Sequence, residues 1–368
     1  MARIIYSLAG EGRGHATRTR TVVEALQREH RVIVLAPGVA YHLLAAAYAG
    51  SDRVTVHEIP GLQFQYRGIR LDYLRSCCLA VPFLWRMRSW TDRIAGLLRK
   101  ERPDLAITDF EPLLPRAAER CGVPYISFDH QHSLLVNDLS QLPWLLRWKA
   151  WLLAASVSLF YRKQRHTIVS SFYQPPLKPH GGRVTQTGVL LRPEILKSYP
   201  VSGESVLVYM RRFLNDNLLE ALRHCGRPVK IYGLEPRPPL DRIEFCQVEE
   251  RRFLQDLIGC YAVISNTGNQ LVGEALYLKK PFLALPESGN FEQSINAHFV
   301  RESRGGDWIP CQQLDAPALQ RFLDRVPVYR RQISSESIVG NTKALETIRA
   351  ELAAILGGNA PSVAHQAA

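Results

Sequence analysis

The run SNTGNQLVGEA, Ser265 to Ala275, decides how this chain is read. It follows the apolar stretch Tyr261–Ser265 and opens a segment of helical spacing, so a strand, a glycine turn and a helix start come in succession. The first amides of such a helix have no helical carbonyl to bond and lie at the positive end of its dipole. Thr267 adds a hydroxyl, and Gly268, Asn269 and Gln270 present backbone, a combination that suits a diphosphate. Glu274 lies further along the helix, between Val272 and Ala275-Leu276, where a carboxylate without a partner is costly. The two hydroxyls of a ribose would supply one, as for the acid of dinucleotide-binding folds. After a further strand, Pro281–Pro286, Glu292 and Gln293 stand at a helix start where they can bond sugar hydroxyls, with Asn296 a turn later on the face of Glu292.

The same alternation of strands and helices fills the rest of the chain. Strands are expected at Arg3–Leu8, Arg31–Leu35, Val54–Glu58, Leu105–Thr108, Tyr125–Phe128, Thr167–Ser170 and Val184–Thr187, with helical segments between most of them. The pattern restarts at Ser205–Met210 and continues through Val229–Gly233, Ile243–Cys246, Tyr261–Ser265 and Pro281–Leu285. Alternating strands and helices make parallel sheets covered on both faces. The expected fold class is therefore α/β: two Rossmann-like, doubly wound domains facing a cleft. The expected division is an acceptor-side domain over 1–190 and a second, ligand-binding domain over 191–340, joined in the Pro-, Gly- and Ser-rich Gly188–Gly203. A helix over 341–356, which could pack on either domain, and a flexible tail over 357–368 complete it.

In such sheets ligands bind beyond the carboxyl ends of the strands, so the residues after each strand matter most. After the first come Gly10, Gly12, Arg13, Gly14 and His15. Alternate glycines before a helix let backbone approach an anion, although the spacing is not the dinucleotide GxGxxG. The turn could equally serve without a ligand. His15, at the first helical turn, can act as a general base. After the fourth strand, Asp109 can hold and charge-stabilise His15, or can cap the helix that begins near Pro112. After the fifth, Asp129 and His130 open the run DHQH and suit a polar acceptor pocket. With no third ligand nearby, that run is not read as a metal site, and none is expected elsewhere.

Bulk composition narrows the partners. The chain has 368 residues, 46% hydrophobic and 22% charged, with a net charge of +12. That charge suits nucleic acid, an anionic membrane face or phosphorylated small molecules. The basic residues fall in pairs such as Arg211-Arg212 and Arg251-Arg252, with no zinc-finger spacing or RNA-binding aromatic motif, which disfavours nucleic acid. Seven irregularly placed cysteines without a CxxC pair, and a start that runs straight into a strand, point to a reducing cytoplasm. Leu142–Tyr161 is apolar but interrupted by Arg147 and Lys149. It reads as a buried helix or as one lying on a membrane surface with snorkelling cations, and not as a span, because globular pattern continues on both sides.

The run GNQLVGEALYLKKPFLALPESGNFEQSINA, Gly268 to Ala297, resembles the donor-binding signature of GT-B glycosyltransferases. It is similar to that of the plant-type UDP-glycosyltransferases and of the bacterial enzyme that completes lipid II, and a GEGxGHATR start is shared with a further prokaryotic group. By this resemblance Gly268 matches the glycine of the donor helix, Glu274 the ribose-binding acid and Glu292-Gln293 the pair on the donor sugar. His15 matches the base, and Asp109 its dyad partner. The resemblance implies inversion and no metal, with a nucleotide-sugar co-substrate, UDP-linked, and no other cofactor. The plant-type enzymes carry a phosphate-binding histidine where this chain has Asn266, so Arg211, just after a strand, is the expected cation. The acceptor is expected to be a hydroxyl, lipid-linked or membrane-proximal. A GT-B epimerase or sugar-nucleotide hydrolase and a non-catalytic nucleotide- or nucleic-acid-binding protein are the competing classes.

Overall fold

The computed structural model describes every residue except 11–12, 63–64, 68–69, 161–162, 180, 212–213 and 359–368. Gly12 of the first glycine turn therefore lies outside the described residues.

The central strands are short, largely apolar runs rather than alternating ones, which fits sheets buried on both faces. In the first half they are β1 (Arg3–Leu8), β2 (Arg31–Ala36), β3 (Val54–Glu58), β4 (Leu105–Asp109), β5 (Tyr125–Asp129), β6 (Thr167–Ser170) and β7 (Val184–Thr187). Every residue of β4 and β5 is buried. The sheet is parallel in the order β3-β2-β1-β4-β5-β6-β7. The second half repeats the plan with β8 (Val206–Tyr209), β9 (Val229–Tyr232), β10 (Ile243–Phe245), β11 (Ala262–Ser265), β12 (Phe282–Ala284) and β13 (Gly306–Trp308), parallel in the order β10-β9-β8-β11-β12-β13. Each sheet reverses its strand order beside its first strand, which opens a crevice there. The chain thus forms two Rossmann-like domains facing a cleft, the α/β architecture expected from sequence. β13 was not anticipated, nor was a two-stranded ribbon pairing Tyr66–Arg67 with Arg70–Leu71.

The helices that matter below are α1 (Arg13–Leu26), α2 (Gly38–Ala47), α3 (Tyr73–Glu101), α4 (Leu113–Cys121), α5 (Ser133–Val136), α6 (Trp144–Ser158), α7 (Pro193–Leu196), α8 (Asp216–Arg223), α9 (Glu250–Gly259), α10 (Asn269–Tyr277), α11 (Phe291–Glu302), α12 (Ala316–Gln332) and α13 (Asn341–Gly358). Side chains of α1 and α13 close one face of the first sheet, and those of α8 and α12 one face of the second. A third cluster runs through both halves, from Ile5 and Ala106 to Val263 and Phe282. Tyr173 and Phe299 stack within it, with ring centroids 3.8 Å apart.

Two open readings are settled. The last helix returns to the first sheet, where Ala344, Ile348 and Leu352 are buried with Ile4 and Tyr6. Its buried Glu351 bonds His166 Nδ1 at 3.0 Å and pairs with Arg183 at 2.6 Å, anchoring it beside β6 and β7. The apolar segment after Leu142 is α6, and the buried-helix reading of it fails. Ala150, Ala154 and Val157 face inward, whereas Trp144, Trp148 and Trp151 are exposed.

Candidate active site

The cleft holds a cavity of about 440 Å³ at the carboxyl ends of the strands of both sheets. His15, Arg13, Gly14, Arg18 and His130 line it from the first half. Arg211, Gly268, Asn269, Gln270, Glu274, Glu292 and Gln293 line it from the second.

β4 carries Asp109, fully buried, to the foot of this cavity. Its Oδ1 lies 2.9 Å from His15 Nδ1. With its proton on Nδ1 the imidazole donates to Asp109 and presents Nε2 to the cavity, while Arg18 Nη2 lies 3.1 Å from the same Nδ1. Buried Arg18, one helical turn after His15, grips the same carboxylate from Nε at 2.9 Å and from Nη2 at 2.5 Å. Burial alone would raise the pKa of Asp109, but the Arg18 guanidinium and then His15 outweigh it and hold the carboxyl below its usual value. The helix-capping alternative for Asp109 does not apply, because its neighbour does that work. Glu111 accepts from the backbone N–H of Leu113 at 2.6 Å and of Leu114 at 2.8 Å. Phe110, left-handed at φ 54°, turns the chain between the two acids.

Beside His15, the start of its own helix α1 meets the start of α10. A Cβ on Gly14 would lie 3.7 Å from Gln270 Cβ, while one on Gly268 would meet nothing within 4 Å. Two helix N-termini thus address one space, which favours an anion. The asparagines and glutamine of the α10 turn are engaged with protein groups. Asn266 accepts from the Arg211 N–H at 3.2 Å and donates to the Leu285 carbonyl at 3.0 Å, tying together the loops after β8, β11 and β12. Asn269 spans the domains, accepting from the Phe172 N–H at 3.1 Å and donating to the Ser170 carbonyl at 3.0 Å. Thr267 is fully buried and absent from the cavity wall. Gln270 donates to the Leu190 carbonyl at 2.7 Å and to Glu274 at 3.0 Å.

Glu274 is 1% exposed, and Arg192 from the interdomain segment holds it through Nε at 3.0 Å and Nη2 at 2.6 Å. Arg192 also approaches Glu250, which Arg20 of α1 reaches at 2.9 Å, so charge pairs cross the cleft mouth. Gln293 is bound to Glu287, whose N–H donates to it at 2.8 Å. Glu292 accepts from Gln131 across the cleft at 3.4 Å. His130 donates from Nε2 to Asn296 Oδ1 at 3.1 Å, and Asn296 donates in turn to the Thr267 carbonyl at 3.0 Å. Burial lowers the pKa of His130. Asp129 stands behind the cavity wall, bound to the backbone and to Nδ1 of His132 at 2.8 and 2.7 Å.

Sequence reasoning missed Arg18, Arg192 and Arg20. Arg18 had a local signal, since it follows His15 by three residues and so shares its helix face. Arg192 had none, because only the fold brings it to Glu274.

The profile of glycosyl transferase family 1 matches residues 2–327. No curated protein matches the sequence. Among solved structures, the calicheamicin glycosyltransferase CalG4 is 18% identical with a TM-score of 0.64, covering 98% of this chain and 100% of its own. Phytolacca americana UGT2, complexed with UDP-2fluoro-glucose and pterostilbene, is 14% identical with a TM-score of 0.68, covering 96% and 100%. Medicago truncatula UGT71G1, complexed with UDP-glucose, is 13% identical with a TM-score of 0.66, covering 96% and 98%. At these identities the likeness is one of fold.

Proposed function

The chain belongs to glycosyl transferase family 1, and from that premise we propose that it moves a sugar from a UDP-linked donor to a hydroxyl acceptor, inverting the anomeric carbon without a metal. One observation carries the reading: His15, held by Asp109 at 2.9 Å at the start of α1, lines the same cavity as the start of α10. UDP-sugars in two of the fold neighbours support the donor class.

In this mechanism the diphosphate lies at Gly268–Gln270, with Gly14, Arg13 and Arg211 nearby. Backbone amides and these arginines carry the charge, since Asn266 is committed to fastening strand ends. Glu274, gripped by Arg192, takes the ribose hydroxyls through lone pairs the guanidinium leaves open. Glu292 and Gln293 take the sugar, and His130 lines the acceptor side. His15 Nε2 removes the acceptor hydroxyl proton as its oxygen bonds to the anomeric carbon from the face opposite the phosphate. The bond to the diphosphate oxygen breaks, and the helix ends stabilise the departing charge. Asp109 stabilises the imidazolium. We place this chemistry in the cytoplasm, with a lipid-linked acceptor presented at the membrane's inner face. A thermal-shift series over nucleoside diphosphates and their sugars tests the donor. UDP and a UDP-sugar should raise the melting temperature by mass action, and stabilisation by no nucleotide sugar contradicts the proposal.

A further inference from the structure

Of the chain's six tryptophans, Trp85, Trp144, Trp148 and Trp151 are 85%, 73%, 57% and 66% exposed. Such rings cost solubility on a surface that stays in water. Their placement is organised. Trp144, Trp148 and Trp151 follow helical spacing and form a stripe along α6, flanked by exposed Leu145. Trp85 stands on α3 with exposed Val81 and Leu84. The inward faces of both helices join one cluster, Phe83 and Ile94 from α3 with Ala150 and Val157 from α6. α4 connects them: it packs on α3, and its Arg116 donates to the Leu159 carbonyl at the end of α6 at 2.9 Å.

Charge identifies the occupant. Residues 73–91 and 142–160 contain no carboxylate, while Arg75, Arg86, Arg88 and Arg147 are exposed among them. Asp92, the first acid of α3, is paired with Arg120 at 2.6 Å. Asp138 is an acid beside α6, in a groove whose wall also carries Arg147, Trp151 and Lys178. An amphipathic, aromatic and cationic face with its acids neutralised or outnumbered is complementary to anionic headgroups. Two copies of the chain pairing through this face would set arginine against arginine with few carboxylates to answer.

We propose that α6, together with the Val81–Arg88 stretch of α3, docks the protein on an anionic bilayer surface. The tryptophans enter the headgroup layer, and the arginines bind phosphates while their stems stay apolar. This orients the cleft. α6 packs on α11, with Lys149 Nζ 5.1 Å from the centre of the Phe291 ring, next to cavity-lining Glu292. The consequence for a lipid-linked acceptor rests on the glycosyl-transfer reading, but the docking does not.

Vesicle flotation of the full chain tests it, using phosphatidylcholine alone and phosphatidylcholine mixed with phosphatidylglycerol. The wild type should float with the mixed vesicles, less so in high salt. The double variant Trp148→Ser/Trp151→Ser should lose about tenfold in partitioning while keeping its melting temperature, since both rings are exposed. The charge reversal R86E/R147E should weaken binding to the mixed vesicles alone. Absence of flotation with anionic lipid, flotation unchanged in the double tryptophan variant, or a tryptophan-dependent dimer in sedimentation without vesicle binding each overturns the proposal. Flotation involves no sugar transfer, so this result stands apart from that of the donor screen.

Discussion

Arg18 holds both oxygens of Asp109 in a site that admits no solvent to the carboxylate. An uncompensated buried charge is among the costliest defects a fold can carry. Arg18→Met should therefore lower the unfolding free energy by about 3–5 kcal/mol in denaturant titration. The double variant Arg18→Met/Asp109→Asn should recover most of that, because no bare charge remains. Equal losses in the two variants would mean that the packing of Arg18, not its charge, matters. His15 and Asp109 could be singled out in sequence because Asp109 ends a strand and His15 opens the helix after one, at the end of the sheet where doubly wound folds bind ligands. The partners of Asn266 and Asn269 were not. A polar side chain in a glycine turn serves a ligand or a neighbouring loop equally well, and only the positions of Leu285, Ser170 and Phe172 decide.

At the scale of elements, strand positions were readable because buried parallel strands are unbroken apolar runs. β13 escaped because Gly306-Asp307-Trp308 has no such run, and Gly306 is there for closeness: a Cβ would lie 1.9 Å from the Phe282 carbonyl oxygen. α6 misled because apolar content does not say which way a helix faces. The cap of α4 gives a pH-dependent prediction. Burial pushes the Glu111 carboxyl up to about 7 from an ordinary 4.5, against the pull of the two amides it accepts from. The folded chain then keeps a proton that the unfolded chain releases, so this contribution is fully present below pH 4.5 and is lost as pH rises through 7. Asp109, with its pKa lowered, acts oppositely, and its contribution is lost only as pH falls through the acid range. Unfolding free energies of the wild type and Glu111→Gln, compared between about pH 5 and pH 8, should diverge by about 3 kcal/mol. The wild type should fall and the variant stay flatter. Parallel pH profiles would contradict the assignment.

The whole molecule is held across its cleft by small devices. The chain crosses between the halves at Gly188–Val189 and again at Ile338–Gly340, and the two crossings touch backbone to backbone. A Cβ on Gly188 would lie 2.1 Å from the Ile338 carbonyl oxygen. Gly188→Ala should therefore lower the melting temperature clearly, whereas Gly226→Ala, with open space but φ 70°, tests strain alone. That the fold has two facing Rossmann-like domains was legible from the restart of the strand pattern. That α13 returns to the first was not, because Ala344, Ile348 and Leu352 offer an apolar stripe that either sheet could accept. His15 performs the chemistry in a cleft whose donor half should bind independently of it. Titration calorimetry with UDP and transfer assays on wild type and His15→Ala test this together. UDP affinity should stay within about threefold, a difference below 1 kcal/mol, while transfer should fall by about a hundredfold or more, the usual contribution of a positioned base. Retained transfer, or lost UDP binding with the fold intact, would contradict it.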